Sequence, residues 1–217
     1  MGYITELVAI NEMLISAGER PVTSLVSPEA DIEVAQAILS QSQREHLLTG
    51  IAGNMSVKEY TPDPGTGKVL LPLNTLNINL YEQPYSDQDI GVIPITDSGS
   101  IFLFNVTDST DVFSDIDNTP IKLIVTLYLD FENIPVAVQG SIIATAKQRY
   151  QMITQGNPET NQQLIRELQQ AAMQSRSWDS TMKSRSILNP YTNPTARLLY
   201  RSPDWYNTNG RIWKGGV

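Results

Sequence analysis

The sequence predicts an α+β fold: a four-helix bundle interrupted by a β-rich domain and followed by an extended C-terminal arm. Three observations predict it. Apolar residues recur at helical spacing before Gly50 and again from about Pro135. Between these stretches, β-branched residues alternate with clusters of turn formers. From residue 186 onward, proline and asparagine are too dense for regular structure. The expected division is residues 1–50 for helices one and two, 51–130 for the β-rich domain, 131–185 for helices three and four, and 186–217 for the arm.

The first helix is expected over residues 3–17. Ile4, Leu7, Val8, Leu14 and Ile15 supply its apolar spacing, and Gly18 followed by Pro21 stops it. The second opens at Ser27-Pro28-Glu29, where a capping hydroxyl, a first-turn proline and a carboxylate suit the positive helix end. Ile32, Ala35, Ile38 and Leu39 form its stripe, which runs to about Leu48. Strands are expected at Val69–Leu73, Leu76–Leu80, Val92–Ile95, Ser100–Asn105 and Ile121–Leu129. Asp63-Pro64-Gly65-Thr66-Gly67, Asp97-Ser98-Gly99 and Asp117-Asn118-Thr119-Pro120 separate them as turns. The third helix carries Val136, Ile142, Ile143, Ala146, Tyr150 and Ile153. Asn157-Pro158-Glu159 then starts a fourth, with Leu164, Ile165, Leu168, Ala171 and Ala172, to about Lys183.

Composition narrows the chemistry. There are no cysteines, which excludes disulfides, thiolate catalysis and Cys-based zinc sites. The single histidine, His46, makes no cluster and is expected at the surface. No cofactor and no metal are expected. The formal charge of -8 disfavours gripping phosphates by bulk electrostatics. No window approaches the ~20 apolar residues of a membrane span, and no membrane partner is expected. The first six residues lack the basic and apolar regions of a signal peptide.

Several short motifs fail on inspection. Gly65-Thr66-Gly67-Lys68 resembles the end of a phosphate loop, but Pro62 stands where a glycine is needed and Val69 where a hydroxyl is needed. Asp97-Ser98-Gly99 resembles half of an aspartic-protease dyad, yet Asp-Ser-Gly between strands is an ordinary hairpin turn. Asp108, Asp111, Asp115 and Asp117 have the density of a calcium loop without its glycine and terminal glutamate, and read as solvated turns. No carboxylate pair and no Ser–His–Asp set can be nominated. The chain is expected not to be an enzyme.

The arm is different in kind. Tyr191, Tyr200, Trp205, Tyr206 and Trp213 lie among Arg197, Arg201 and Arg211. Aromatics with arginine are the residue types favoured at binding surfaces. The arm either wraps its own domain or docks on a neighbour. The second reading is preferred, because about 30 extended residues reach up to roughly 100 Å.

A specific resemblance enters at the N-terminus. Thr5-Glu6-Leu7-Val8-Ala9-Ile10-Asn11-Glu12-Met13-Leu14, followed by Gly18-Glu19-Arg20-Pro21-Val22-Thr23-Ser24-Leu25, resembles the opening of the tail tubular protein A family, the adaptors of T7-like podoviruses. Ala17 stands where that family often has isoleucine. Asp31 to Leu39, Leu70-Leu71-Pro72, Phe102-Leu103-Phe104-Asn105 and Asp130 to Pro135 continue the likeness, which covers about residues 3–185. The family's aromatic pair after the second helix is absent at Gly50 to Asn54. The arm does not match.

The resemblance implies a structural head-to-tail adaptor in the virion neck, assembled in the host cytoplasm. It implies a dodecameric homo-oligomer between the portal protein and the tail nozzle protein, with a tail fibre as a further candidate partner. Genomic DNA would pass through the lumen without specific binding. Portal or neighbour-subunit binding would fall to Tyr191, Arg197, Tyr200, Arg201, Trp205, Tyr206, Arg211 and Trp213. In a ring, Asp108, Asp111, Asp115 and Asp117 would face the lumen and repel the passing DNA. The alternatives are a virion-associated hydrolase and a portal-binding assembly factor.

Overall fold

A computed structural model describes residues 4–26, 30–81, 91–113 and 120–182 of the chain. The element order is α1 (Glu6–Ser16), α2 (Ala30–Leu48), β1 (Met55–Tyr60), β2 (Leu70–Leu71), β3 (Thr75–Leu80), β4 (Val92–Asp97), β5 (Ser100–Asn105), β6 (Ile121–Leu127), α3 (Val136–Thr154) and α4 (Pro158–Met182). The chain forms two units, Met1–Trp178 and Asp179–Val217. Of the second, only Asp179–Met182, the last turn of α4, is described.

Local chemistry explains the helix ends. Thr5 caps α1, its hydroxyl accepting from the Val8 amide at 3.3 Å. At the other end Gly18 takes φ +71°. The Gly18 and Glu19 amides then donate to the Ile15 and Leu14 carbonyls, each at 2.9 Å. That is a Schellman motif, and the left-handed position is why glycine stands there. The Ser27-Pro28-Glu29 cap expected for α2 lies outside the described residues.

Helices α1, α2 and α3 pack around one core. Ile10, Met13, Leu14, Leu39, Leu47, Ile142 and Tyr150 are its largest fully buried side chains, and Phe131 and Ile134 belong to it. α4 touches this core through Trp178 and buries only Leu164 outright. Four helices are present as expected, but three share the core and the fourth lies alongside.

The β-rich region forms two three-stranded antiparallel sheets, ordered β1-β6-β3 and β2-β5-β4. They share a second core of Leu71, Ile78, Leu103, Ile121, Leu123 and Val125. The Asp97-Ser98-Gly99 turn joins β4 to β5 with Ser98 and Gly99 at φ +50° and +80°, a hairpin turn as expected. β1 was not anticipated. Val69–Leu73 shortens to Leu70–Leu71, because Pro72 has no amide to continue the ladder. The last strand ends at Leu127 rather than Leu129, where the Tyr128 amide turns to the Asn74 carbonyl at 2.7 Å.

Buried amide side chains stitch helices to sheets. Asn54 accepts from the Ile51 amide at 2.8 Å and donates to the carbonyls of Leu47 and Leu127, both at 2.9 Å. Gln43 donates to the Leu129 carbonyl at 2.7 Å. Gln139, fully buried, donates to the carbonyls of Phe131 at 2.7 Å and Ile4 at 3.1 Å and accepts from the Ile4 amide. Each satisfies backbone groups where regular structure stops and water is excluded.

Candidate assembly interface

The distinctive N-terminal residues do structural work. Asn11 clamps the loop after α1, donating to the Val22 carbonyl at 2.9 Å and accepting its amide at 2.7 Å. Glu19 accepts from the Tyr150 hydroxyl at 2.6 Å, tying that loop to α3. Burial raises the Tyr150 pKa, and the Glu19 carboxylate pushes the same way. The phenol therefore stays a donor. Gln155 adds a second tie, donating to the Ala17 carbonyl. None of these groups is arranged as a nucleophile with its base.

The outer side of α1 is the first candidate surface. The helix buries Ala9, Ile10, Met13 and Leu14, which leaves Val8 and Ile15 pointing away at 46% and 58% exposure. They stand seven residues apart and so lie on one face. The expected apolar stripe had placed both with Leu14 toward the core; packing selects the opposite side for burial. Between this face and α4 runs a groove of about 480 Å³, lined by Glu12, Ile15, Lys147, Gln163, Leu164 and Glu167. Lys147 is tied to Glu167 at 2.9 Å. Glu12 has no ion pair among the described residues.

A second groove, about 580 Å³, lies where α2 meets the sheets. Arg44, Gln41, Leu73, Leu76 and Tyr128 line it, and Leu73 is 73% exposed. Burial raises the Tyr128 pKa, and Asp130 adds to it. His46 is not the surface residue expected. It is half-buried between α2 and α3, with one ring nitrogen 2.9 Å from the Ser42 carbonyl and the other 3.1 Å from the Ser141 hydroxyl.

The two described members of the acidic run, Asp108 and Asp111, are engaged locally. Asp111 pairs with Lys68 at 2.6 Å, and that ammonium holds its carboxyl below the usual range. Lys68 also lies 5.4 Å from the centre of the Phe102 ring. Asp108 accepts from the Asn105 side chain at 2.7 Å. Asp115 and Asp117 lie outside the described residues, as do Tyr191, Arg197, Tyr200, Arg201, Trp205, Tyr206, Arg211 and Trp213. Among the described residues, no group of three or more His, Asp or Glu side chains is placed to hold a metal, and no helix is long and apolar enough to cross a membrane.

Sequence reasoning missed Val8, Ile15 and the α1–α4 groove as a surface. The signal was present: α1 is apolar on every side, with Glu6, Asn11, Glu12 and Ser16 its only polar residues. A helix apolar all round is normally covered all round.

A model of the family described as Tail tubular protein matches residues 7–185. The "Tail tubular protein A" of Klebsiella phage KP34 is 31% identical over 130 residues. That match covers 60% of this chain and 62% of the relative, so the chain spans less than two thirds of that protein's length.

Proposed function

Because the chain belongs to the tail tubular protein family, structural components of bacteriophage tails, we propose that it is a head-to-tail adaptor and not an enzyme. In this reading, copies assemble into a dodecameric ring between the portal and the tail nozzle, and genomic DNA passes through it during ejection. The observation that carries the proposal is the family match over 7–185. The uncovered apolar side of α1 supports it, because a face of this kind is suited to burial between copies. Closed rings are built from two different patches that meet head to tail.

The helices are the material of the ring, and the β-rich region projects toward the nozzle or the lumen. Residues 186–217 grip the portal or a neighbouring copy through their aromatic and arginine side chains. Asp108, Asp111, Asp115 and Asp117 line the lumen and repel DNA, Asp111 least because Lys68 offsets its charge. The test is electron microscopy of the purified protein with its portal. A twelve-fold ring supports the reading, and a lack of association overturns it. Removing residues 186–217 should abolish portal binding. Lysine in place of the four aspartates should slow DNA ejection, and unchanged ejection would remove the lumen assignment.

A further inference from the structure

The α1–α4 groove has a local character that selects its occupant. Its α1 wall presents Glu12, Ile15 and Ser16, with Ile15 exposed. From Thr5 to Glu19 this segment carries three carboxylates, Glu6, Glu12 and Glu19, and no cation. The far wall adds Glu167, already neutralised by Lys147. The unpaired charge of the groove is therefore that of Glu12. A fitting occupant is apolar or aromatic with interspersed positive charge.

The chain itself contains such a segment. Residues 183–217 hold six Lys and Arg against one acid, Asp204, a net charge of +5. The preceding 182 residues hold nine against 22, a net charge of −13. Two fifths of the cations thus stand in the last sixth of the chain, beside Tyr191, Tyr200, Trp205, Tyr206 and Trp213. At about 3.3 Å per residue, 35 residues span up to ~115 Å, enough to cross to an adjacent copy.

We propose that the groove between α1 and α4, which presents Ile15 and Leu164 beside the Glu12 carboxylate, receives the basic, aromatic segment 183–217 of the next copy in the assembly. The proposal rests on the ring reading. It gives that ring its two unlike patches, a groove on one copy and a peptide from another. It also supplies the missing cover for Ile15. The association combines burial of aromatic surface with charge attraction to Glu12, so it weakens as salt rises.

The test uses the full chain, assembled with the portal protein where the chain alone stays monomeric. A photoreactive benzophenone amino acid replaces Ile15, and isotopically heavy and light copies are mixed before irradiation. Cross-linked peptides are mapped by mass spectrometry while microscopy reports the ring. Cross-links between heavy and light copies that join position 15 to residues 183–217 support the proposal. A ring whose cross-links reach another region or the portal overturns it and leaves the ring reading standing. Cross-links to 183–217 confined to one copy also overturn it. Absence of any ring overturns the ring reading and the proposal with it. Independently, Glu12→Lys should cut the inter-copy yield at least threefold with no change in thermal midpoint. An unchanged yield overturns the charge-guided docking.

Discussion

α3 and α4 are consecutive helices that solve different problems. α3 buries nine of its 19 residues, including Ile142, Ala146 and Tyr150 at full burial. α4 is longer, at 25 residues, and buries only Leu164. Among its less exposed residues, Asn161, Leu164, Leu168, Ala171, Ser175 and Trp178 recur at alternating steps of three and four, with Thr160, Ala172 and Asp179 widening that seam. α3 is enclosed by α1 and α2, whereas α4 rests on its neighbours by that seam. Stability is therefore concentrated in the first three helices, and α4 is placed to shape a surface. The lesson is that helix length and regular apolar spacing do not rank helices by their share of the core.

The contrast can be broken by substitution. Ile142→Ala should cost roughly 2–5 kcal/mol, the range for truncating an enclosed aliphatic side chain. Leu164→Ala should cost about 1–2 kcal/mol, because the groove beside it lets the site relax. Chemical denaturation measures both, and equal losses would erase the distinction between the two helices. Gln139→Leu comes next, at about 2–4 kcal/mol, since it strands buried backbone groups of Ile4 and Phe131.

Tyr150→Phe should cost about 1–2 kcal/mol through loss of its bond to Glu19. The same residue sharpens the comparison at high pH. Its folded pKa is raised, so its contribution is full below the unfolded phenol value near 10 and is lost as pH rises toward the folded value. The wild-type chain should therefore lose stability in that alkaline window, and the Phe variant should show a flatter limb in a pH-dependent melting series. The smallest effect belongs to the surface pair of Arg149 and Glu45 at 2.6 Å, which links α3 to α2. Arg149→Ala should cost no more than ~0.5 kcal/mol after solvent screening. The Arg149 hydrogen bond lowers the Glu45 pKa. Its contribution is present above the unfolded carboxyl value and fades as pH falls through the folded one, a trend that acid titration of the variant should lack.

Much of the fold was legible because its signals are local. The Asp97–Gly99 turn and the Gly18 stop depend on φ preferences written in a few adjacent residues. β1 was not legible. Met-Ser-Val-Lys-Glu-Tyr has no clean apolar alternation, since it is a largely exposed edge strand. Its strand character comes from pairing with β6, where Met55 meets Thr126 and Tyr60 meets Ile121. The arm's composition is what proposes it as a binding segment, whereas the groove is formed by α1, α3 and α4 together and has no sequence signature of its own.

By itself, then, the sequence determined the order of the helices and of strands β2 to β6, the principal turns, the lack of cysteine chemistry and the N-terminal family likeness. Those follow from neighbours along the chain and from composition. Tertiary structure alone decided which side of α1 is buried, that β1 is a strand, and that α4 is lateral rather than central. These outcomes turn on which distant surfaces are available for packing. An apolar helix offers several faces of similar hydrophobicity, and the partners that α2 and α3 provide choose among them.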